Sequence, residues 1–477
     1  MKTKIFIISH QVSLIFSLIV LAYHLQGQSL DEYLKISGQN NPSLKARYNE
    51  YYSALERVPQ AGSLPDPQLS FSMFISKEGL YMERFMGEQL SEISVMQMFP
   101  WIGTQGAAKN EATYMAQMKF TSFKESKINL YHEVRVGWYR LYQVDKELKL
   151  LEEEKEILKT YEQLALTRFK TGISGSAPMN NQITNVQPST SSTGMANMGM
   201  GGSNTTSPSP TSNTGTGGMS GGSTGSMVDV LLIQLQIKEL DTRISILKAS
   251  QKPLEIKFNN LLNRPAHESI VVADTLASIP LPASLSIIQD SVIQNHPMVK
   301  MYEWDEKARE QQQRMAKLMG RPMIAVGLSY MIFRPRFDEM FNENMGGENM
   351  FMPMVTMTLP IYRKKFSAQR KEAEYLQQSA TENKEAAKLE LLSELESLLY
   401  EYESSNKRLE LLTEQIAITN QVIRLMTTTY STGGNGIEEI LRQRQSLLNY
   451  QQQQISTLTE QHVIVSGITK LMGIDSN

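Results

Sequence analysis

The chain has 477 residues, a formal net charge of −2, 41% hydrophobic residues and no cysteine. Near-neutral charge offers no basic footprint for nucleic acid. Absence of cysteine excludes disulfides, thiolate metal sites, a cysteine nucleophile and a lipid anchor on an N-terminal cysteine. Methionine is the outlier, with 28 residues of a type missing from the commonest residues of soluble domains.

Residues 1–28 read as a secretory signal. Lys2 and Lys4 form a charged start, Ile5 to Leu25 is mostly apolar, and Gln26-Gly27-Gln28 offers a small-residue cleavage point. No later run has 18 apolar residues, so no inner-membrane helix is expected. A helical stretch then covers Leu30–Gln60, and strands are predicted at Leu69–Phe74 and Ser94–Phe99. From Trp101 to Thr171 helical periodicity continues for about 70 residues without proline, or roughly 105 Å of helix. Residues 176–226 are uncharged Gly, Ser, Thr, Asn, Pro and Met without periodicity, and are expected to be disordered. A shorter helix is predicted from Val228 to Asn263.

The same order returns. Asn41-Pro42 reappears as His296-Pro297 and Pro67 as Pro322, both 255 positions on. Pro100 is answered by Pro360 at 260, and Arg168–Gly172 by Thr429–Gly433 at 261. Asp229-Val230-Leu231 is answered by Glu439-Ile440-Leu441 at 210. The drop from 261 to 210 marks 176–226 as an insertion into one copy of a duplicated unit. The second copy predicts a helical stretch over Ala283–Leu318, strands at Ile324–Phe333 and Met354–Leu359, and helices over Arg363–Thr432 and Glu438–Gly473. The domains expected are the signal, a first repeat over 29–265 and a second over 266–477.

Helices of about 70 residues must form a coiled coil or a tube. Four strands are too few to close a barrel, whose minimum is about eight. Three copies would supply twelve. The expected fold class is therefore α+β: a helical coiled-coil barrel carrying a transmembrane β-barrel shared by three chains. The six histidines are scattered, with no metal-ligand spacing, and no phosphate loop or serine elbow is present. No catalytic site and no cofactor are expected.

In this order, Asn41-Pro42, Pro65-Asp66-Pro67, Pro100, Pro360, the turns Phe169–Gly172 and Tyr430–Gly433, and Asp229-Val230-Leu231 resemble the TolC-like outer-membrane efflux proteins over roughly residues 30–475. The resemblance implies a homotrimeric channel in the outer membrane of a Gram-negative bacterium, embedded in outer-membrane lipid. It also implies a periplasmic adaptor and an inner-membrane RND-type pump as partners. The turns at Gly172 and Gly433 would be periplasmic tips where the adaptor grips. Tyr430 and Asp229 match residues that close the aperture by cross-helix hydrogen bonds, and Glu439 matches an acidic ring at the entrance. Asn435 stands where the family has a basic gate partner, and Arg442 where a second acidic ring would fall. Asp229 also suits a helix N-cap, and Glu438 and Glu439 suit a helix dipole without any pore.

The methionines bear on the substrate. Met195, Met198 and Met200 lie in the insertion, and Met345, Met350 and Met352 surround the second hairpin. Neutral thioethers suit Cu(I) and Ag(I), whereas on strands such as those at Met354 and Met357 methionine also serves as pliable apolar filler. The run Met352-Pro353-Met354-Val355 leading to Leu359–Lys365 resembles the copper/silver-type, CusC-like outlets. The expected function is an efflux exit duct for Cu(I)/Ag(I) or other heavy-metal ions, with a multidrug or type I protein-secretion outlet as the alternative.

Overall fold

The computed structural model describes residues 29–74, 88–173, 227–272, 275–338, 343–431 and 437–474. The helices are α1 (Leu30–Asn40), α2 (Pro42–Gly62), α3 (Thr104–Ile173), α4 (Met227–Leu262), α5 (Leu285–Asn295), α6 (Pro297–Leu318), α7 (Arg363–Ser431) and α8 (Ile437–Leu471). The strands are β1 (Gln68–Met73), β2 (Glu88–Phe99), β3 (Ile324–Arg334), β4 (Arg336–Asp338), β5 (Glu343–Met345) and β6 (Met350–Met357). The chain divides into two units: Met1–Lys146, Ala249–Leu411 and Gln454–Asn477 in one, Glu147–Lys248 and Leu412–Gln453 in the other.

Each opening helical stretch is two helices rather than the single one expected. The break falls at Asn41-Pro42 and again at His296-Pro297. Proline at the first helical position lacks only an N–H that would be unpaired there anyway, so it starts a helix without harm and cannot continue one. Asn41 Oδ1 caps α2, accepting from the N–H groups of Ser43 (2.9 Å) and Leu44 (3.2 Å). His296 Nδ1 does the same for α6, accepting from Met298 N–H at 3.1 Å.

In the first unit the helices bury two cores. Tyr33, Leu34 and Leu44 pack with Val134 and Trp138 of α3 and Phe258 and Leu262 of α4. Ile288, Val292 and Val299 pack with Leu391 and Leu395 of α7 and Ile464 and Ile468 of α8. The chain leaves α4 and α8 through left-handed residues, Asn263 (φ 53°) and Gly473 (φ 68°). A Cβ at Gly473 would lie 2.8 Å from the Asn295 carbonyl oxygen, so only glycine fits there. The stretches 263–272 and 275–284 are strapped to this unit by side chains. Trp138 Nε1 donates to Val271 O at 3.3 Å, Tyr33 Oη accepts from Val271 N–H, and Tyr142 Oη accepts from Leu276 N–H, both at 3.0 Å.

The same unit holds the four-stranded antiparallel sheet, in the order β1-β2-β3-β6. β6 begins and ends earlier than the alternation predicts and runs through Pro353, which is paired with Leu328. β6 is an edge strand, where a missing N–H is tolerated. β4 and β5 form a separate hairpin that the sequence reading lacked.

In the second unit buried apolar residues recur at steps of three, four, seven and eight residues, the spacing of a coiled-coil seam. They include Leu151, Leu158 and Ala165 on α3, Val230, Ile233, Leu240 and Ile244 on α4, and Ile437, Ile440 and Leu448 on α8. Glu154 interrupts the α3 seam and is matched by Arg444, whose Nε donates to Glu154 Oε1 at 3.0 Å and whose Nη2 donates to Oε2. Burial pushes the Glu154 carboxyl up and Arg444 opposes the shift. A buried bidentate pair costs desolvation and returns it only in this geometry, so it fixes helix register more than it adds stability.

Two buried histidines, His296 and His462, and the partly buried His132 are held neutral. Burial, reinforced by Lys470 and Arg135, lowers His132 to about 4. Burial with Lys470 lowers His296 to about 4, and burial lowers His462. Against an ordinary value of 6.5, the unfolded chain takes up protons first on acidification. Stability that is full above about 6.5 is therefore lost as pH falls towards 4. Thermal unfolding in mild detergent is expected to show this loss. His296→Asn, which keeps a capping acceptor and cannot titrate, should reduce the loss; an unchanged acid dependence would clear His296 of it.

Candidate functional site

Two places among the described residues carry candidate functional side chains. The first is the sheet, whose faces follow from register. One face bears Leu69 and Phe71, Ile93 and Val95, Ile324, Val326 and Leu328, and Phe351 and Val355. The rings of Tyr330 and Phe351, opposed across β3 and β6, lie 4.6 Å apart on it. The other face bears Ser70, Glu92, Ser94 and Ser329 with several methionines. On that face the Ser329 hydroxyl donates to Glu92 Oε1.

Exposure runs opposite to a water-soluble sheet. Leu69, Phe71 and Val355 are 72%, 63% and 75% exposed, while Ser329 is fully covered. A sheet that turns its apolar face outward and its polar face inward has the amphipathicity of a transmembrane barrel wall. Among the described residues no helix is long and apolar enough to cross a membrane.

The second place is the cluster of helix ends in the second unit. Arg168, near the end of α3, lays its guanidinium 4.4 Å from the centre of the Tyr430 ring. Its Nη1 donates to the Tyr430 carbonyl at 3.0 Å. Two turns back on α3, Tyr161 Oη and Thr427 Oγ1 lie 3.2 Å apart. Tyr430 is buried, and among the described residues its phenol oxygen has no hydrogen-bond partner. Burial raises its pKa, the nearby Asp229 carboxylate raises it further, and Arg168 opposes both. Tyr430 and Asp229 are thus brought within electrostatic reach. Arg168 is the residue the sequence reading missed. The signal was its spacing, since Leu151, Leu158, Ala165 and Arg168 fall on one helical face.

Glu439 lies in the first turn of α8 and is answered along its own helix. Arg442 Nη1 sits 3.3 Å from Glu439 Oε2 and Arg442 Nη2 sits 3.3 Å from Glu438 Oε1. These side chains are mostly exposed, so each pair is worth a few tenths of a kcal/mol. Gly172 is the penultimate residue of α3 rather than part of a turn beyond it. Gly433 and Asn435 lie outside the described residues, as do Met195, Met198 and Met200. Met345 is in β5, while Met350 and Met352 lie on the serine-bearing face of β6.

Residues 288–474 match the family model for outer membrane efflux proteins. No curated protein sequence matches the chain. Among solved structures, the chain is similar to the outer membrane protein VceC from Vibrio cholerae, with a TM-score of 0.69 at 14% identity, covering 93% of this chain and 96% of that one. It is similar to the outer-membrane channel OprN, with a TM-score of 0.70 at 13% identity over 93% and 89% of the two chains. It is also similar to CusC, described by its transmembrane channel formation, with a TM-score of 0.68 at 14% identity over 94% and 92%. The chain adopts the fold of these outer-membrane channels, and its second half carries the sequence pattern of the efflux-protein family.

Proposed function

We propose that the protein is the outer-membrane exit duct of a tripartite efflux system in a Gram-negative bacterium, assembled as a homotrimer. In this reading the signal over 1–28 exports it, and repeats over 29–265 and 266–477 each contribute two of the four strands. The observation that carries the reading is the sheet: an exposed apolar face, a polar face covered on the central strands β2 and β3, and two edges, β1 and β6, each paired on one side only. Open edges of this kind demand partners, and three copies supply the twelve strands of a closed barrel. An adaptor docks at the turns near Gly172 and Gly433, and an inner-membrane pump feeds the duct.

In the same reading the helix ends of the second unit form its gate. Arg168 replaces the cation absent at Asn435, and with Tyr430 and Asp229 it closes the aperture. Glu439, offset by Arg442, contributes little to an anionic ring.

The substrate is Cu(I) or Ag(I). The concentration of methionine supports this, including Met195, Met198 and Met200 in the insertion and Met345, Met350 and Met352 at the second hairpin, because thioethers prefer soft monovalent ions. A multidrug or protein-secretion outlet has no use for such donors.

Three outcomes follow. In mild detergent, light scattering should give the mass of a trimer with strand signal intact; a monodisperse monomer would sink the architecture. In planar bilayers, Arg168→Gln should raise single-channel conductance, and Tyr430→Phe with Asp229→Ala should raise it too. A cation over an aromatic face is worth about 0.5–2 kcal/mol, enough to bias a closed state several-fold. Unchanged conductance in intact trimers would remove the gate. In a host lacking its own copper outlet, expression with the neighbouring pump and adaptor should raise silver and copper tolerance but not detergent tolerance. The reverse pattern would favour a multidrug outlet.

A further inference from the structure

The four-stranded sheet sorts its methionines by face. Six of them, Met96, Met98, Met331, Met350, Met352 and Met354, lie on the serine-bearing face. Only Met73 and Met357 lie on the apolar face. Methionine used as apolar filler would follow the demand for apolar surface, which is on the opposite side. Here it follows the polar residues.

Register places these side chains in two groups. Met331 is directly opposite Met350, and Met352 is the next residue along β6 on the same face. Opposed Cβ atoms on neighbouring strands lie about 4.5–5.5 Å apart and same-face neighbours along a strand about 6.6 Å. Three flexible thioethers at those spacings can turn their sulfurs to one point. Glu92 is the cross-strand partner of Met331 and supplies a carboxylate beside them, held by the Ser329 hydroxyl.

In the second group Met96 and Met354 flank Gly327 on either side. A Cβ at Gly327 would lie 3.0 Å from Val95 O and 3.4 Å from Met96 Cβ. The missing side chain leaves the space between the two methionines open, across two strand spacings of about 4.8 Å each. The groups are four residues apart along β3, from Met331 to Gly327, or about 13 Å, and Met352 and Met354 are two residues apart along β6, or about 6.6 Å.

We propose that this face is a binding surface for soft monovalent cations. Met331, Met350 and Met352 with Glu92 form one weak site, and Met96 and Met354 form a second. The proposal rests on the exit-duct reading, in which this face lines the passage, and assigns it Cu(I) or Ag(I) as cargo. Neutral thioethers favour such ions, and the single Glu92 carboxylate beside the first group gives too few hard donors to hold Zn(II) or Mg(II). Two or three donors per ion give binding weak enough for release, as conduction through successive sites requires.

The test is a titration of the full-length protein, labelled with methyl-13C methionine and held in detergent in chloride-free buffer, with silver nitrate. Methyl resonances of Met331, Met350, Met352, Met96 and Met354 should shift, while those of Met73 and Met357 stay in place; zinc nitrate should move none of them. In Met331→Leu with Met350→Leu, which keeps apolar volume, the silver-induced shift of Met352 should fall at least tenfold because its partner donors are gone. A Met352 shift that survives the double substitution would show independent thioethers and overturn the convergent site. Equal shifts on both faces, or none on either, would overturn the proposal in the wild-type protein alone. Channels that conduct in bilayers while these methyls ignore silver would leave the exit duct standing and remove only this site. Protein that forms no channel would remove the duct reading itself.

Discussion

Along β1 and β6 the backbone N–H and C=O groups have ladder partners on one side only, and the sheet between them turns Leu69, Phe71 and Val355 outward. In water such a surface would aggregate. In lipid its apolar face would be at home, but an unpaired ladder edge would cost several kcal/mol per group. Both conditions are met only when the edges find other strands and the apolar face finds hydrocarbon. The helices also leave large apolar side chains exposed, among them Leu235 and Ile246 on α4 and Leu389, Ile418 and Leu425 on α7. Their buried faces are satisfied within the chain, by the two cores of the first unit and the seams of the second.

Buried charge marks where the helical packing is most particular. The Glu154–Arg444 pair and the Arg168–Tyr430 stack both sit in seams that apolar side chains otherwise fill. Each cation is aimed at one partner on another helix, so slipping the register would strand it. An apolar seam alone would tolerate such a slip. Asn41 and His296 show a different economy. Two chemically unlike side chains cap helices at matching positions, and only the histidine makes that cap sensitive to acid.

The sequence by itself determined a good deal. Period and punctuation located the long helices to within about three residues, because a 70-residue run of helix formers without proline has no alternative structure. Charge, composition and the order of Asn-Pro, Pro-Asp-Pro and Phe-Pro pairs pointed to an exported channel. The paired prolines also implied the helix breaks at Asn41 and His296, although the sequence reading carried each helix through them. Only the tertiary structure decided which face of each strand was which. The alternation in β6 is blurred because Met352 and Met354 alternate with Phe351, Pro353 and Val355, and methionine is nearly as apolar as its neighbours. Pairing with Ser94, Ser329 and Glu92 across β2 and β3 separates them. Arg168 was legible as a cation at a seam position but not as the partner of Tyr430, some 262 residues away. Distances of that kind are set by the packing of helices, which no local pattern encodes.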